Sequence, residues 1–247
     1  MIETKVSRGA DHALLKLVDV DEQYGRHILE NFYKKIKVEN ACDLGVGYGL
    51  DLERLTKIHP EAKLYGIDFV DTQRIELASK NIELRVQNIE QDKLDFQDKS
   101  LDLFIANQLL EHIKEIFWLS DQVARKLKVG GHFIIGVPNI SSLHNRILFL
   151  LGSQPTQMKT NSAHVRGFSH NELIRFFNIV WPDGFEIVEK RGSQFYPFPR
   201  FISRLLCSLF PSLSFANFYL FKKTKEYKRE FLEYPKATAL ETNFFVG

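Results

Sequence analysis

The sequence predicts an α/β fold built on a doubly wound, mostly parallel sheet with helices on both faces. Three observations carry that expectation. Short apolar runs alternate with helical stretches through residues 40–140, as βαβ units of a parallel sheet do. The run Leu101–Asn107 is nearly all apolar, as a strand covered on both faces must be. Glycines follow directly on the first apolar run, where a strand turns into a helix.

Asp19–Lys37 reads as an amphipathic helix. Tyr24, Ile28, Phe32 and Ile36 recur at every fourth position, and Leu29 and Tyr33 widen the stripe. Ala41–Gly45 is a first strand. The helix marked by Leu50, Leu52, Leu55 and Ile58 stops before Pro60. Lys63–Phe69 is a second strand, Asp71–Lys80 a helix, Ile82–Gln87 a third strand and Leu101–Asn107 a fourth. The next helix is expected to reach Lys128 and to end at Gly130-Gly131, residues suited to a C-cap. His132–Val137 is the fifth strand. Ser142–Leu151 then reads as a helix and Gly152–Gly167 as a polar loop. Ser169 and Glu172 have the spacing of a capping box before the apolar positions Leu173, Phe176, Phe177 and Val180. Gly184–Lys190 and Ala216–Lys223 read as the last strands, separated by a Phe- and Pro-rich insertion, Ser193–Ser214.

A length of 247 residues suits one α/β domain with insertions. Lys and Arg total 33 against 31 for Asp and Glu, a net charge of +2, which gives no electrostatic case for a nucleic-acid partner. Cys42 and Cys207 sit in apolar runs and read as buried thiols of a reducing compartment, with a disulfide between them as the alternative. Neither has the spacing of a zinc site, and no metal is expected. Met1–Ala10 carries charges and no apolar core, unlike a signal peptide. The longest uncharged run, Leu205–Phe221, contains Pro211, Asn217 and three serines and is rejected as a membrane span. A cytoplasmic protein is expected.

The segment Asp43-Leu-Gly45-Val-Gly47-Tyr-Gly49 carries the strongest functional signal. Glycines between a strand and a helix let a ligand approach the backbone closely. A dinucleotide fingerprint needs its third glycine at position 50, which is Leu50, so the NAD reading fails there. Asp68 ends the second strand about 20 residues further on, where an acid can accept both hydroxyls of a ribose. The alternative is that Asp68 caps the following helix.

With these segments stand Asn88-Ile-Glu90, Leu101–Asn107, Leu110-Glu-His112 and Leu127-Lys-Val-Gly-Gly131 through Pro138-Asn139. In this order they resemble a class I, Rossmann-like S-adenosylmethionine-dependent methyltransferase of the broad bacterial family related to the ubiquinone-biosynthesis methyltransferases. The resemblance covers roughly Asn40 to Val188. It implies a seven-stranded sheet and one domain over 1–247, with an N-terminal helical cap (1–39), a cofactor-binding core (40–139) and substrate-side helices, insertion and last strands (140–247). It implies S-adenosyl-L-methionine as cofactor. Gly45, Gly47 and Gly49 would line its methionine and ribose part, and Asp43 would help to orient its ammonium. Asp68, with Phe69 beside it, would hold the ribose. Asn88 would meet the adenine amino group, where the family usually has Asp. Ile89 would cover the ring, and Asn107 would face the methionine portion.

His112 is the only nearby group whose ordinary pKa suits a general base at neutral pH. Its alternative is a structural tie, shared with Glu111, to the next helix. His164 and Arg166, in His164-Val-Arg166-Gly-Phe168-Ser169, are candidate contacts to an anionic or hydroxylated substrate, or a loop anchor. The aromatic insertion Phe195–Phe215, with Arg200 and Arg204, reads either as an amphipathic surface for peripheral membrane contact or a lipid-linked substrate, or as a helix packed on the sheet edge or a partner subunit.

The leading function is methyl transfer to an oxygen or nitrogen of a small-molecule acceptor, a sugar or surface-polysaccharide precursor before a quinone-type or lipid-like phenol. An RNA or protein methyltransferase is a rival, opposed by the absence of an added basic or zinc module and of an Asn-Pro-Pro-Tyr-type motif. A non-catalytic cofactor-binding regulator is another. Monomer and homodimer stay open.

Overall fold

The computed structural model describes residue 22 and residues 24–244. Part of the expected N-terminal cap, with the start of the Asp19–Lys37 helix, lies outside them. Seven strands form one sheet: β1 (Asn40–Leu44), β2 (Lys63–Asp68), β3 (Ile82–Val86), β4 (Leu101–Asn107), β5 (Leu127–Pro138), β6 (Phe185–Ser193) and β7 (Ala216–Lys223). Their order is β3-β2-β1-β4-β5-β7-β6. The first five pair in parallel, and β7 lies antiparallel between β5 and β6. This is the expected doubly wound, mostly parallel α/β architecture.

The helices are α1 (Arg26–Tyr33), α2 (Leu50–Thr56), α3 (Arg74–Ser79), α4 (Ile116–Lys126), α5 (Leu143–Leu150), α6 (Glu172–Val180), α7 (Arg200–Leu209) and α8 (Glu230–Ala237). Successive side chains of a strand point to opposite faces, and the sheet divides its apolar residues accordingly. Leu103, Ile105, Ile134, Phe218 and Leu220 join Ile28, Leu29, Phe32 and Tyr33 of α1 and Leu52 and Leu55 of α2 in one core. Phe104, Ala106, Phe133, Ile135, Tyr219 and Phe221 join α4, α6 and α8 in the other. Leu101–Asn107 is apolar at almost every position because both of its faces are covered.

Three local expectations need correction. Gly130-Gly131 do not cap a helix. The helix α4 ends at Lys126, and Leu127 already pairs with Leu101 in the sheet. The last carbonyls of α4 are taken instead by Lys99 N (to Arg125 O, 2.9 Å) and Ser100 N (to Lys126 O, 2.9 Å). The buried Lys223 Nζ adds bonds to Ala124 O and Leu127 O. Partners supplied by β7 and by the turn before β4 replace a glycine cap. Ser169 and Glu172 do not form a capping box either. The N-cap of α6 is Asn171, without a side-chain cap bond, and Glu172 N bonds the Ser169 carbonyl at 3.1 Å. At the N-terminus, the described helix begins after Gly25. The insertion folds as α7, which rests on β6 through buried Ser203 and Cys207 and leaves Phe201, Leu205 and Leu209 exposed.

Candidate active site

Open α/β sheets bind ligands in the crevice beyond the strand C-termini, where the strand order reverses. Here that point lies between β1 and β4. Asp43 and Gly45 leave β1, Asp68 ends β2, Asn88 follows β3 and Asn107 ends β4. The four strand ends therefore deliver the candidate cofactor residues to one side of the sheet.

Two concavities share the backbone of Gly45 as their common wall. The first, about 400 Å³, is lined by Asp43, Asp51, Asn107, Arg26 and Tyr24 among others. The second, about 300 Å³, is lined by Asp68, Phe69, Asn88, Ile89, Leu109 and His112 among others. Gly45, Gly47 and Gly49 all adopt positive φ, between 48° and 70°. At Gly49 space demands glycine as well, because a Cβ would meet Ile82 Cδ1 and Leu77 Cδ2 at 2.7 Å. At Gly47 a Cβ would meet nothing within 4 Å, so backbone conformation alone favours glycine there.

The carboxylate of Asp68 organises the turn. Its Oδ2 accepts from Gly47 N at 3.0 Å and its Oδ1 from Phe69 N at 2.7 Å. It does not cap the next helix, since α3 begins only at Arg74. Oδ1 also accepts from Val70 N at 3.4 Å, so Oδ2 is the oxygen that keeps a further lone pair for a ligand hydroxyl. Phe69 is 72% exposed at the rim. Asn88 Oδ1 accepts from Glu90 N at 3.1 Å, which leaves one lone pair for an amino donor.

The first concavity is acidic. Asp43 and Asp51 are 4% and 8% exposed. Burial, with Asp51 and Asp68 nearby, pushes the Asp43 carboxyl well above the usual carboxylate range, and Arg26 opposes this. Burial raises Asp51 too, against its bonds to Asn107 and Arg26. Asp51 accepts from Asn107 Nδ2 at 2.8 Å and Arg26 Nε at 3.2 Å. Asn107 Oδ1 is buried with no partner. Buried carboxyls crowded by like charge favour a cationic ligand. Tyr24, Arg26, Asp51 and Gln108 were missed from the sequence. Asp51 reads there as an ordinary first-turn acid, and Arg26 comes from a helix 25 residues away in sequence.

Beyond Asn107 the chain makes a 3-10 turn over Leu110–His112. Its Glu111 carbonyl accepts Val165 N at 2.8 Å and Arg166 N at 3.1 Å, which brings the 164–166 segment alongside. The rings of His112 and His164 meet edge to face at 4.7 Å between centroids. His112 Nδ1 bonds Ala163 O at 3.2 Å and His164 Nδ1 bonds Gln157 O at 2.7 Å. Both bonds need a protonated Nδ1, and a neutral ring then carries its lone pair on Nε2. Burial holds His164 below the ordinary histidine value. Glu111 is 2% exposed and its Oε2 has no partner. Burial pushes its carboxyl up to about 8. Glu111 was also passed over in the sequence as a structural neighbour of His112. Arg166 donates from Nε to Ile113 O at 3.0 Å and from Nη2 to Lys114 O at 2.6 Å, which are anchoring bonds to backbone.

Sheet order and strand-end geometry together give a Rossmann-like fold with a ligand crevice at its switch point. Residues 42–135, rather more than a third of the chain, match the family model described as methyltransferase domain. A chain of Haloferax volcanii solved in complex with a methyltransferase activator superposes with TM-score 0.59 at 17% identity, over 87% of this chain and 96% of that one. The Burkholderia thailandensis 1,6-didemethyltoxoflavin N1-methyltransferase, solved with its acceptor and S-adenosylhomocysteine, gives 0.56 at 16% identity, over 87% and 83%. At such identities the likeness is one of fold. An uncharacterized 37.1 kDa protein in a transposon of Streptomyces fradiae is 30% identical over 110 residues, 42% of this chain. The match spans 32% of that relative's length.

Proposed function

We propose that the protein transfers a methyl group from S-adenosyl-L-methionine to an oxygen or nitrogen of a small molecule. The observation that carries this reading is the paired concavity at the β1–β4 switch point. One half is acidic and suits the positive end of the cofactor. The other, with Asp68, Phe69, Asn88 and Ile89, suits its nucleoside. The bound cofactor supplies an electrophilic methyl group on a positively charged sulfur. Asp43 and Asp51 orient the cationic end, Asp68 holds the ribose, Asn88 accepts from the adenine amino group, and Ile89 and Phe69 cover the ring.

On the acceptor side His112 is the general base. Its Nδ1 bond to Ala163 O leaves Nε2 to take the acceptor proton. His164 contacts the acceptor beside it, and Arg166 holds the intervening turn while facing the same side. Imidazoles at this place suit a hydroxylated acceptor. A sugar or surface-polysaccharide precursor follows from the family resemblance in the sequence. Two free, buried thiols, Cys42 and Cys207, agree with a cytoplasmic location. Among the described residues no helix is long and apolar enough to cross a membrane. The exposed face of α7 is a surface for peripheral membrane contact. Calorimetric titration with S-adenosylhomocysteine and with NAD tests the cofactor reading. Binding of the first and none of the second is expected, and tight NAD binding alone would overturn it.

A further inference from the structure

Glu111, His112 and His164 offer one ligand atom each within 4.8 Å of one another. No sequence pattern announced this group, because the two imidazoles come from segments joined only by tertiary packing. We propose that these three side chains bind a divalent first-row transition-metal ion of the zinc type, at the acceptor end of the crevice.

Three features support a built site. First, both imidazoles are oriented as metal-binding histidines usually are. Each Nδ1 is engaged by a backbone carbonyl, Ala163 O for His112 and Gln157 O for His164, which presents Nε2 as the donor atom. Secondly, Glu111 is almost fully buried and its Oε2 has no hydrogen-bond partner. A buried carboxylate oxygen without a partner is costly, and a cation beside it removes that cost. Thirdly, the segments are tied together independently of any ion, through Val165 N and Arg166 N to the Glu111 carbonyl, and through Asn145 Nδ2 to Gln157 Oε1 at 2.7 Å. The scaffold under the ligands is therefore in place before an ion arrives.

Two imidazoles and one carboxylate suit zinc, iron, cobalt or nickel better than magnesium or calcium, which prefer all-oxygen sets. Bonds of about 2.0–2.2 Å require the three atoms to draw in by roughly an ångström, and the exposed His112 ring has room to rotate. Three protein ligands leave a coordination position open, as catalytic sites do. His112 also lines the concavity beside Asp68, so that position adjoins the cofactor cleft. The placement at an acceptor site rests on the methyltransferase reading; the binding of an ion does not. When an ion is bound, His112 Nε2 is a ligand, and an acceptor hydroxyl on the open position is ionised by coordination and loses its proton to solvent. The base role of His112 then belongs to the metal-free enzyme.

The test is titration of the chelator-treated full chain with Co²⁺, followed by visible absorption, and displacement by Zn²⁺. One equivalent of Co²⁺ is expected to give a ligand-field spectrum that Zn²⁺ abolishes, and Zn²⁺ should raise the melting temperature. Glu111→Gln, His112→Ala and His164→Ala should each weaken binding by at least roughly tenfold. Glu111→Gln is nearly isosteric and keeps the fold readable by circular dichroism. No ligand-field spectrum in the folded parent, or equal Co²⁺ affinity in all three variants, would overturn the proposal. Titration of S-adenosylhomocysteine into the Glu111→Gln protein reports on the cofactor cleft separately, so that loss of the metal site and failure of the methyltransferase reading give different results.

Discussion

The two ends of the crevice are built in opposite ways. In the concavity proposed for the nucleoside, Asp68 is tied to the backbone of Gly47, Phe69 and Val70, and Asn88 to that of Glu90. At the acceptor end Glu111, His112 and His164 converge from separate segments, and the Glu111 Oε2 is left without a partner. Satisfied groups hold a shape, whereas unsatisfied ones keep their capacity for a ligand or a proton. On the proposed reading, nucleoside recognition rests on a preformed turn and the methyl-transfer chemistry on side chains assembled by packing.

The largest expected effect separates the two ends directly. His112→Ala should lower turnover of an identified acceptor by about 10²–10⁴-fold and leave S-adenosylhomocysteine affinity nearly unchanged. If affinity and melting temperature fall together instead, His112 is a structural tie and the division between the ends breaks. A smaller effect is expected at the glycine turn. Gly49→Ala forces a Cβ into Ile82 and Leu77 at positive φ, which should destabilise the fold by about 1–3 kcal/mol through overpacking. Thermal or denaturant unfolding measures it, and an unaltered midpoint would show the turn to be pliant rather than preformed.

Asp68→Ala should weaken cofactor binding at least roughly tenfold, since a hydrogen bond to a charged group contributes about 1.5–3 kcal/mol. The same substitution removes the acceptor of Gly47 N, so a modest loss of stability should accompany it. Unchanged affinity in the folded variant would reject the ribose role.

The smallest effect concerns pH. The Asp43 carboxyl is held protonated above the usual carboxylate range by burial and by Asp51 and Asp68. Without ligand, the folded state keeps this proton longer than the unfolded chain. Asp43 therefore subtracts stability as pH rises from the ordinary carboxylate value through its raised one. A cationic ligand favours the ionised carboxylate, so cofactor affinity should increase with pH across that window, with proton release on binding. Calorimetry in buffers of different ionisation enthalpy detects the proton, and Asp43→Asn should flatten the profile. A flat profile in the parent would mean that the acidic concavity does not meet the cofactor's positive end.

Read along the chain, candidate residues were visible at both ends of the crevice, Asp43, Gly45, Gly47, Gly49 and Asp68 at one and His112, His164 and Arg166 at the other, but their grouping was not. The alternation of apolar runs and amphipathic stretches yields all seven strands, because the apolar runs of inner strands such as β1 and β4 and the amphipathic stretches between them are local patterns. Asp43, Gly45, Gly47, Gly49 and Asp68 were visible because a strand, a turn and a helix place them within one βαβ unit. Helix ends were less legible. Gly130-Gly131 looked like a C-cap, yet the carbonyls of α4 are satisfied by Lys99, Ser100 and Lys223, and no local pattern reveals a partner on β7. Arg26 and Asp51 joined the site only through the packing of α1 on α2. Glu111, His112 and His164 came together because the Glu111 carbonyl captures the amides of Val165 and Arg166. Periodicity and turn chemistry act over a few residues and can be read from the chain. Contacts between segments 51 residues apart, such as His112 with Ala163, depend on how whole elements stack, and folding alone determines which polar atoms are left unsatisfied.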